Sequence, residues 1–220
     1  MKVLTFLKKI LRSKSKVSFL TSLDSECLIL DVGCGNNSPF LVKSILPNAH
    51  YTGIDIGDYN QQKPNLADEY IVTSPEGFVS SILSLPKNFD VVISSHNLEH
   101  CDDRLGTLSA MLSILKPGGR IYLSFPSEET LTFPSRAGTL NYADDKTHQG
   151  QPPNFDDTLN LMKSKSFSIE FCARNYRPLG LRILGLLLEP LSRFNGRLYL
   201  GTWEYYGFES IIWARKNIKG

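Results

Sequence analysis

The chain has 220 residues, of which 41% are hydrophobic and 21% are charged. This composition is typical of a globular protein and excludes an intrinsically disordered one. The formal net charge of +2 is too small to predict nucleic-acid binding, which needs a concentrated basic surface. No repeat or linker divides the sequence, so we treat residues 1–220 as a single domain. The four cysteines include no C-x-x-C pair, which argues against a zinc site and a disulfide framework and favours a cytoplasmic setting.

The first twenty residues carry six basic side chains and no acidic one. Apolar residues recur among them at helical spacing, which predicts a basic amphipathic helix over residues 1–22. We favour the interpretation that this helix packs on the domain and shows its basic side to water. The alternative is that residues 1–20 touch an anionic membrane surface, which would place the protein at the inner face of the membrane. The apolar run is interrupted by Lys8 and Lys9 and is too short to span a membrane.

Predicted strands and helices alternate along the chain. Short apolar runs predict strands at 27–32, 50–56, 69–72, 89–94, 120–125, 168–173 and 208–214. Helical spacing predicts helices at 39–46, 75–85, 104–115, 156–164 and 179–194, the fourth capped by Asp156 or Asp157. This alternation predicts an α/β fold with a Rossmann-like, seven-stranded, mostly parallel sheet and helices on both faces. Ligands of such folds bind beyond the carboxyl ends of the strands.

The first predicted strand runs into a glycine-rich segment, DVGCGNNS, at residues 31–38. Gly33 and Gly35 allow the backbone to turn sharply and to lie against a ligand, and the next helix offers free backbone N–H groups. Asp55 closes the second strand, where a carboxylate can accept hydrogen bonds from both ribose hydroxyls of an adenosine. The dinucleotide pattern G-x-G-x-x-G fails at Ser38. Asp31 instead suits a cofactor whose amino-acid end is positively charged.

Four segments resemble the motifs of class I S-adenosylmethionine-dependent methyltransferases, in that family's order. They are DVGCGNN (31–37), IDI (54–56), SSHNLEH (94–100) and LKPGGRIYLSFP (115–126). The third glycine of the first motif is replaced by Asn37, a residue type that tolerates left-handed backbone angles. The carboxyl-terminal third resembles, less specifically, methyltransferases from bacterial surface-polysaccharide gene clusters. The resemblance implies the class I methyltransferase fold.

The resemblance also implies S-adenosylmethionine as the cofactor. Asp31, Gly33 and Gly35 would line its methionine end, Asp55 would take the ribose hydroxyls and Ile56 would pack on the adenine. Ser95 and His96 would close the pocket from the fourth strand. The complete predicted set of cofactor-binding residues is Asp31, Gly33, Gly35, Asn37, Asp55, Ile56, Ser95 and His96.

A hydroxyl acceptor needs a base to remove its proton, and histidine is the side chain best suited to this near neutral pH. His148 lies in the long loop after the fifth strand, where we expect the acceptor, so we predict that it is the base and that His100 is the second candidate. His50 begins a strand and is expected to be structural. The tandem aspartates at 102–103, 144–145 and 156–157 are typical of helix caps, so we predict no metal.

Residues 126–155 and 175–205 are expected to be insertions that shape the acceptor site. The second insertion is rich in arginines and aromatic residues, which suits a sugar or glycan precursor linked to a nucleotide or a lipid phosphate. The alternatives are a lipid, quinone or amine acceptor, or a non-catalytic protein that binds S-adenosylmethionine. The apolar stretch 179–191 is expected either to face a membrane together with the basic helix or to form a homodimer interface.

Overall fold

The computed structural model describes residues 14–35, 37–58 and 64–218, so most of the helix predicted over residues 1–22 lies outside the described residues. Within them, helix α1 spans only Lys16–Leu20, because the Ser15 side chain caps it by accepting a hydrogen bond from the Ser18 backbone N–H. The helix predicted over residues 1–22 is therefore wrong at residues 14–15 and 21–22. The Phe19 ring is buried and lies 5.6 Å from the ring of Tyr122, so α1 packs on the domain.

Among the described residues, seven strands and six further α-helices follow α1, close to the predicted positions. The strands are β1 (Leu28–Val32), β2 (His50–Asp55), β3 (Glu69–Val72), β4 (Phe89–Ser95), β5 (Leu115–Pro126), β6 (Phe167–Ala173) and β7 (Glu209–Lys216). The helices are α2 (Ser38–Ile45), α3 (Phe78–Ser84), α4 (Arg104–Ile114), α5 (Phe155–Ser164), α6 (Leu179–Asn195) and α7 (Thr202–Tyr206). Helix α7 has no counterpart among the predicted helices, because five residues are too few to show a helical period.

The strands form one sheet in the order β3-β2-β1-β4-β5-β7-β6. Strands β1 to β5 are parallel to one another, whereas β7 is antiparallel to both β5 and β6. This arrangement confirms the predicted Rossmann-like fold of seven mostly parallel strands. The carboxyl ends of β1 to β5 and the amino end of β7 meet at one border of the sheet, which we call the carboxyl edge.

The sheet carries a hydrophobic core on each face. Neighbouring residues of β1 point into different cores, as the alternation of side chains along a strand requires. Ile29 packs in the core that contains Phe19 of α1 and Val42 of α2. Leu30 belongs to the other core, whose helical members include Ile82 of α3, Met111 of α4 and Met162 of α5. Burial on both faces explains why these strands read as continuous apolar runs.

Two local predictions about helix and strand ends are wrong. Helix α5 is capped by Asn154, whose side-chain oxygen accepts a hydrogen bond from the Asp157 N–H at 2.9 Å; Asp156 and Asp157 lie instead in the first turn, where the helix dipole favours negative charge. Strand β5 begins at Leu115 rather than at residue 120. Its pairing with β4 shifts register there, and the irregularity accommodates residues 116–119, including Gly118 at a φ of 80°.

Helix α6 presents an apolar surface to solvent. The side chains of Leu187 and Phe194 are 70% and 88% exposed, and Leu179, Ile183, Leu186 and Leu191 are exposed as well. None of the described helices combines the length and the apolar character that crossing a membrane requires. The predicted contact of this region with a membrane or a second copy stays a prediction.

Candidate active site

Asp31 is a completely buried carboxylate at the end of β1. Its Oδ2 atom accepts hydrogen bonds from the Lys16 ammonium and the Tyr51 hydroxyl, each at 3.0 Å, and from the Ser38 hydroxyl. Lys16 is one of the basic residues expected on the solvent side of the amino-terminal helix, but it points inward because it neutralises this buried charge. Burial, followed by the charge of Asp31, raises the pKa of Tyr51 well above its usual value, so Tyr51 acts as a donor.

The loop after β1 adopts left-handed backbone angles at three of the predicted positions. Gly33, Gly35 and Asn37 have φ values of 69°, 53° and 63°, so the substitution of the third motif glycine by asparagine preserves the turn. A Cβ atom on Gly33 would lie 2.2 Å from the Asn97 side-chain oxygen, whereas a Cβ atom on Gly35 would meet nothing within 4 Å. Gly33 therefore allows the segment after β4 to approach closely, and the space beside Gly35 is open.

Asp55 lies at the end of β2 and faces this loop. Its Oδ2 atom accepts a hydrogen bond from the Gly35 N–H, and its Oδ1 atom accepts one from the Ile56 N–H, both at 2.7 Å. Burial raises the pKa of Asp55, although the two backbone donors oppose that shift. The Ile56 side chain is 43% exposed, so it is available for contact with a ligand. Asp31, the glycine loop and Asp55 are thus brought together at the carboxyl edge.

His96 follows β4 and is held between two carboxylates. Its Nδ1 atom lies 3.1 Å from Glu99 Oε1, and its Nε2 atom lies 3.1 Å from Glu209 Oε1 at the start of β7. The ring is also 5.4 Å from the Trp203 ring and has an unusual positive φ of 53°. The side chain therefore connects the segment after β4 to β7. Ser95, by contrast, is in hydroxyl contact with Ser124 at 2.9 Å.

Both predicted bases lie in one cluster at the same edge. The rings of His100 and His148 are 4.9 Å apart, although one follows β4 and the other lies in the long loop after β5. One ring nitrogen of each histidine and one carboxylate oxygen of Glu99 lie within 4.8 Å of one another. His148 also stacks on Tyr142 at 4.3 Å, and its side chain is only 5% exposed. His50 does not belong to this cluster. It begins β2, and its Nε2 atom lies 3.7 Å from Glu69 Oε1.

A family model described as "Methyltransferase domain" matches residues 5–176 of the chain. The chain belongs to the methyltransferase-domain family. The enzymes of this family use S-adenosylmethionine as cofactor, which agrees with the cofactor predicted from the glycine loop.

Solved structures of methyltransferases share the fold over nearly the whole chain. An S-adenosylmethionine-dependent methyltransferase from Mesorhizobium loti superposes with a TM-score of 0.60 at 18% identity, covering 91% of this chain and 97% of the other. One from Archaeoglobus fulgidus superposes with a TM-score of 0.57 at 19% identity, covering 96% and 98%. At these identities the similarity establishes the class I methyltransferase fold alone.

Curated methyltransferases match part of the chain. A ubiquinone biosynthesis O-methyltransferase of Saccharophagus degradans is 34% identical over 108 residues, which are 46% of this chain and 44% of that protein. The 27-O-demethylrifamycin SV methyltransferase of Amycolatopsis mediterranei is 29% identical over 119 residues, or 50% of this chain and 41% of that protein. The chain thus matches less than half of the length of each. The resemblance to polysaccharide-cluster enzymes finds no support among these relatives.

The arginines expected to bind a phosphate are largely engaged within this methyltransferase domain. Arg174 pairs with Asp156 at 2.6 Å and with Glu128 at 3.3 Å, and Arg177 donates to the Tyr206 carbonyl at 2.7 Å. Arg193 instead lines a surface cavity of about 590 Å³ between α6 and α7. The other lining residues are Glu189, Pro190, Phe194, Tyr205 and Tyr206. This cavity combines aromatic and charged side chains.

Sequence reasoning missed three residues of this edge. Lys16 was expected to face water, but it pairs with Asp31. Asn97, which lies against Gly33, and Glu209, which contacts His96, were given no role in the site. Asn97 stands in the segment SSHNLEH (94–100), next to the predicted residue His96, which was the only signal for it. Nothing in the local pattern indicates Glu209, because only the antiparallel return of β7 brings it to His96.

Proposed function

We propose that the chain transfers a methyl group from S-adenosylmethionine to a hydroxyl group of a small polar acceptor, and that this acceptor is a sugar or glycan precursor. The observation that carries the proposal is the cluster of Glu99, His100 and His148 at the same sheet edge as the glycine loop. A hydroxyl is almost fully protonated near neutral pH, so an O-methyltransferase needs groups that promote loss of its proton, whereas the methyl donor is already activated.

The residues of the loop fit the cofactor. Asp31 Oδ1 is buried and has no hydrogen-bond partner among the described residues, so it can accept a hydrogen bond from the cofactor's ammonium group. Asp55 retains lone pairs for the ribose hydroxyls, and the open space beside Gly35 leaves room for the ligand. When bound, S-adenosylmethionine supplies a methyl group on a positively charged sulfur, which leaves as a neutral thioether. Ile56 remains the candidate for adenine contact, and Ser95 and His96 for the wall of the pocket.

His148 and His100 remain the candidates for acting on the acceptor. Each ring faces an acceptor through Nδ1: His148 faces the Tyr142 carbonyl at 2.7 Å, and His100 faces the Thr147 carbonyl at 3.3 Å and the Thr147 hydroxyl, which itself donates to Asp145, at 3.0 Å. This arrangement leaves both Nε2 atoms with a lone pair. The protein would hold the acceptor oxygen in line with the carbon–sulfur bond while its proton is lost, and the packed edge would limit competing water.

A second acceptor class is supported by the relatives. The Saccharophagus degradans protein is named as an O-methyltransferase of ubiquinone biosynthesis, which favours a phenolic or quinone-related hydroxyl. Both classes present an oxygen nucleophile, so they share the same requirement for proton loss. They differ in the surface that would hold them, because a phenol suits an apolar pocket and a sugar suits the aromatic and charged cavity beside Arg193.

Methyl-labelled S-adenosylmethionine and a panel of acceptors test this proposal. The panel contains nucleotide sugars, glycan extracts, catechol-type phenols and primary amines. We expect label in a sugar product as an ether that survives mild alkali. Label in phenols but not in sugars would replace the first acceptor class by the second. Label in amines alone, or none with any acceptor despite tight cofactor binding, would contradict hydroxyl methylation.

A further inference from the structure

We propose that Glu99, His100 and His148 bind one divalent transition-metal ion. The proposal deepens the proposed function and rests on it for the role of the metal, but the binding site itself stands on the geometry. A ring nitrogen of each histidine and a carboxylate oxygen of Glu99 converge within 4.8 Å. Such convergence of two imidazoles and one carboxylate is a common ligand set for catalytic metal ions.

The hydrogen bonds of the two histidines orient them as ligands. His148 Nδ1 faces the Tyr142 carbonyl at 2.7 Å, and His100 Nδ1 faces both the carbonyl and the hydroxyl of Thr147, at 3.3 Å and 3.0 Å. The Thr147 hydroxyl donates its own proton to Asp145 Oδ1 at 2.7 Å, so these partners accept and Nδ1 is the donor in both rings. The Nε2 atoms therefore hold lone pairs, and that of His148 lies 3.9 Å from Asp145 Oδ2. A metal-bound histidine typically donates its other N–H in this way, which fixes the tautomer and the direction of the ring.

Glu99 supplies an independent sign of a missing partner. Its side chain is 1% exposed, and Oε1 is occupied by His96. Its Oε2 atom is buried and has no hydrogen-bond partner among the described residues. A buried carboxylate oxygen without a partner is costly, and a cation bound between Glu99 and the two histidines would satisfy it.

The loop that carries His148 is fastened directly to the turn that carries Glu99 and His100. The Gln149 N–H donates to the Glu99 carbonyl at 2.8 Å. Arg104 donates to the Leu98 carbonyl at 3.1 Å and to the Tyr142 hydroxyl at 3.1 Å, and it also contacts the carbonyls of Gln149 and Gln151. Hydrogen bonds to the backbone therefore hold the two segments that carry the three candidate ligands against each other.

The burial of His148 favours a ligand over a free base. A side chain that is 5% exposed has little access to an acceptor of its own, whereas a metal ion beside it can meet the acceptor through a position that the protein leaves open. Three protein ligands leave at least one such position. An acceptor hydroxyl bound there would release its proton to solvent more readily, because the ion stabilises the resulting oxygen anion.

The donor set indicates the class of ion. Two imidazole nitrogens and one carboxylate favour zinc or another first-row transition ion over magnesium, which prefers oxygen ligands. This proposal replaces the sequence prediction of no metal, which was argued from the tandem aspartates. Those acids have other roles: Asp103 caps α4, Asp144 belongs to a capping box and Asp156 pairs with Arg174.

Calorimetric titration of the chelator-treated full chain with Zn²⁺ and, separately, with Mn²⁺ tests the site. We expect one ion per chain, and binding at least about tenfold weaker in His148→Ala and in His100→Ala, because each loses one ligand. His50→Ala is the matched control, since His50 pairs with Glu69 at the start of β2, and it should bind the ion as the unsubstituted chain does. Titration with S-adenosylhomocysteine verifies that each variant is folded.

Absence of binding by either ion, or equal affinity in His148→Ala and the unsubstituted chain, would overturn the metal site. Hydroxyl methylation that continues undiminished after chelation would also overturn its role while leaving the proposed function intact. If the chain binds the metal but methylates only amines, the proposed metal site is retained and the proposed hydroxyl methylation is contradicted.

Discussion

Gly35 donates its backbone N–H to Asp55 Oδ2 at 2.7 Å, so the glycine loop after β1 is tied to the end of β2 by a carboxylate. The two elements are neighbours in the sheet, and Val32 pairs with Ile54 one residue before Asp55. The same carboxylate is thus both a structural acceptor and the candidate ribose ligand, which makes its protonation state important for binding.

Cofactor binding should depend on pH through Asp55. Burial raises the pKa of this carboxyl, so its protonation on acidification begins at a higher pH than for an exposed aspartate. Because protonation removes acceptor capacity, we expect the affinity for S-adenosylhomocysteine to fall as the pH is lowered through that range. Calorimetry over a series of pH values measures this decline, and Asp55→Asn should bind weakly with little pH dependence. An equally steep decline in the variant would assign the effect to another group.

The same raised pKa has a consequence of opposite sign for folding. The folded chain binds the Asp55 proton more tightly than the unfolded chain does, so this group favours folding below its unfolded pKa and loses that contribution as the pH rises through the folded pKa. Asp55→Asn should therefore flatten this part of the pH dependence of the free energy of unfolding, measured by urea denaturation.

Gly33→Ala should abolish cofactor binding. A Cβ atom there would lie 2.2 Å from the Asn97 side chain, in addition to the cost of a φ of 69° for alanine. Gly196→Ala is the matched control, because Gly196 also has a positive φ but would place its Cβ in open space. Calorimetry with S-adenosylhomocysteine should show binding lost in the first variant and retained in the second. Normal affinity in Gly33→Ala would mean that the loop tolerates displacement of Asn97.

Lys16→Met should destabilise the fold. The substitution leaves the buried Asp31 carboxylate without its cation, and loss of one partner of a buried pair costs about 3–5 kcal/mol. Lys116→Met is the control, since Lys116 is half exposed in its pair with Asp90 and should change stability far less. Urea denaturation measures both. Similar small losses in the two variants would show that Tyr51 and Ser38 suffice for Asp31.

Arg104→Met should loosen residues 142–151. Arg104 contacts the Tyr142 hydroxyl and four backbone carbonyls, those of Leu98, Glu99, Gln149 and Gln151, so it joins this loop to the Leu98–His100 turn. Methionine keeps the length of the side chain without the donors. We expect faster hydrogen exchange in this loop. Arg182→Met, which changes an exposed residue of α6, provides the comparison. Unchanged exchange in the Arg104 variant would show that the hydrogen bonds of Gln149 and Tyr142 suffice to hold the loop.

The parts of the structure that depend on local pattern could be predicted from the sequence. Continuous apolar runs correctly indicated strands covered on both faces, and the left-handed angle of Asn37 follows from its residue type. The cap of α5 was assigned to the wrong residue because Asn154, Asp156 and Asp157 are all good caps, and tertiary packing decides among them.

The parts that depend on long-range contact could not be predicted. Lys16 belongs to a basic run whose residue types are those of a solvent-exposed helix face. It points inward because it pairs with the buried carboxylate of Asp31. His148 and His100 were each selected by residue type and position in a loop. Their meeting with Glu99 depends on the path of a loop that has no periodic pattern.

The antiparallel direction of β7 also determines where a label can be attached without disturbing the candidate active site. Glu209 enters the sheet beside His96, whereas Arg215 pairs with Arg120 at the opposite border. A fluorophore or affinity handle attached near Lys216 would therefore lie at the border opposite His96, while an insertion immediately ahead of Glu209 would disturb the contact between Glu209 and His96.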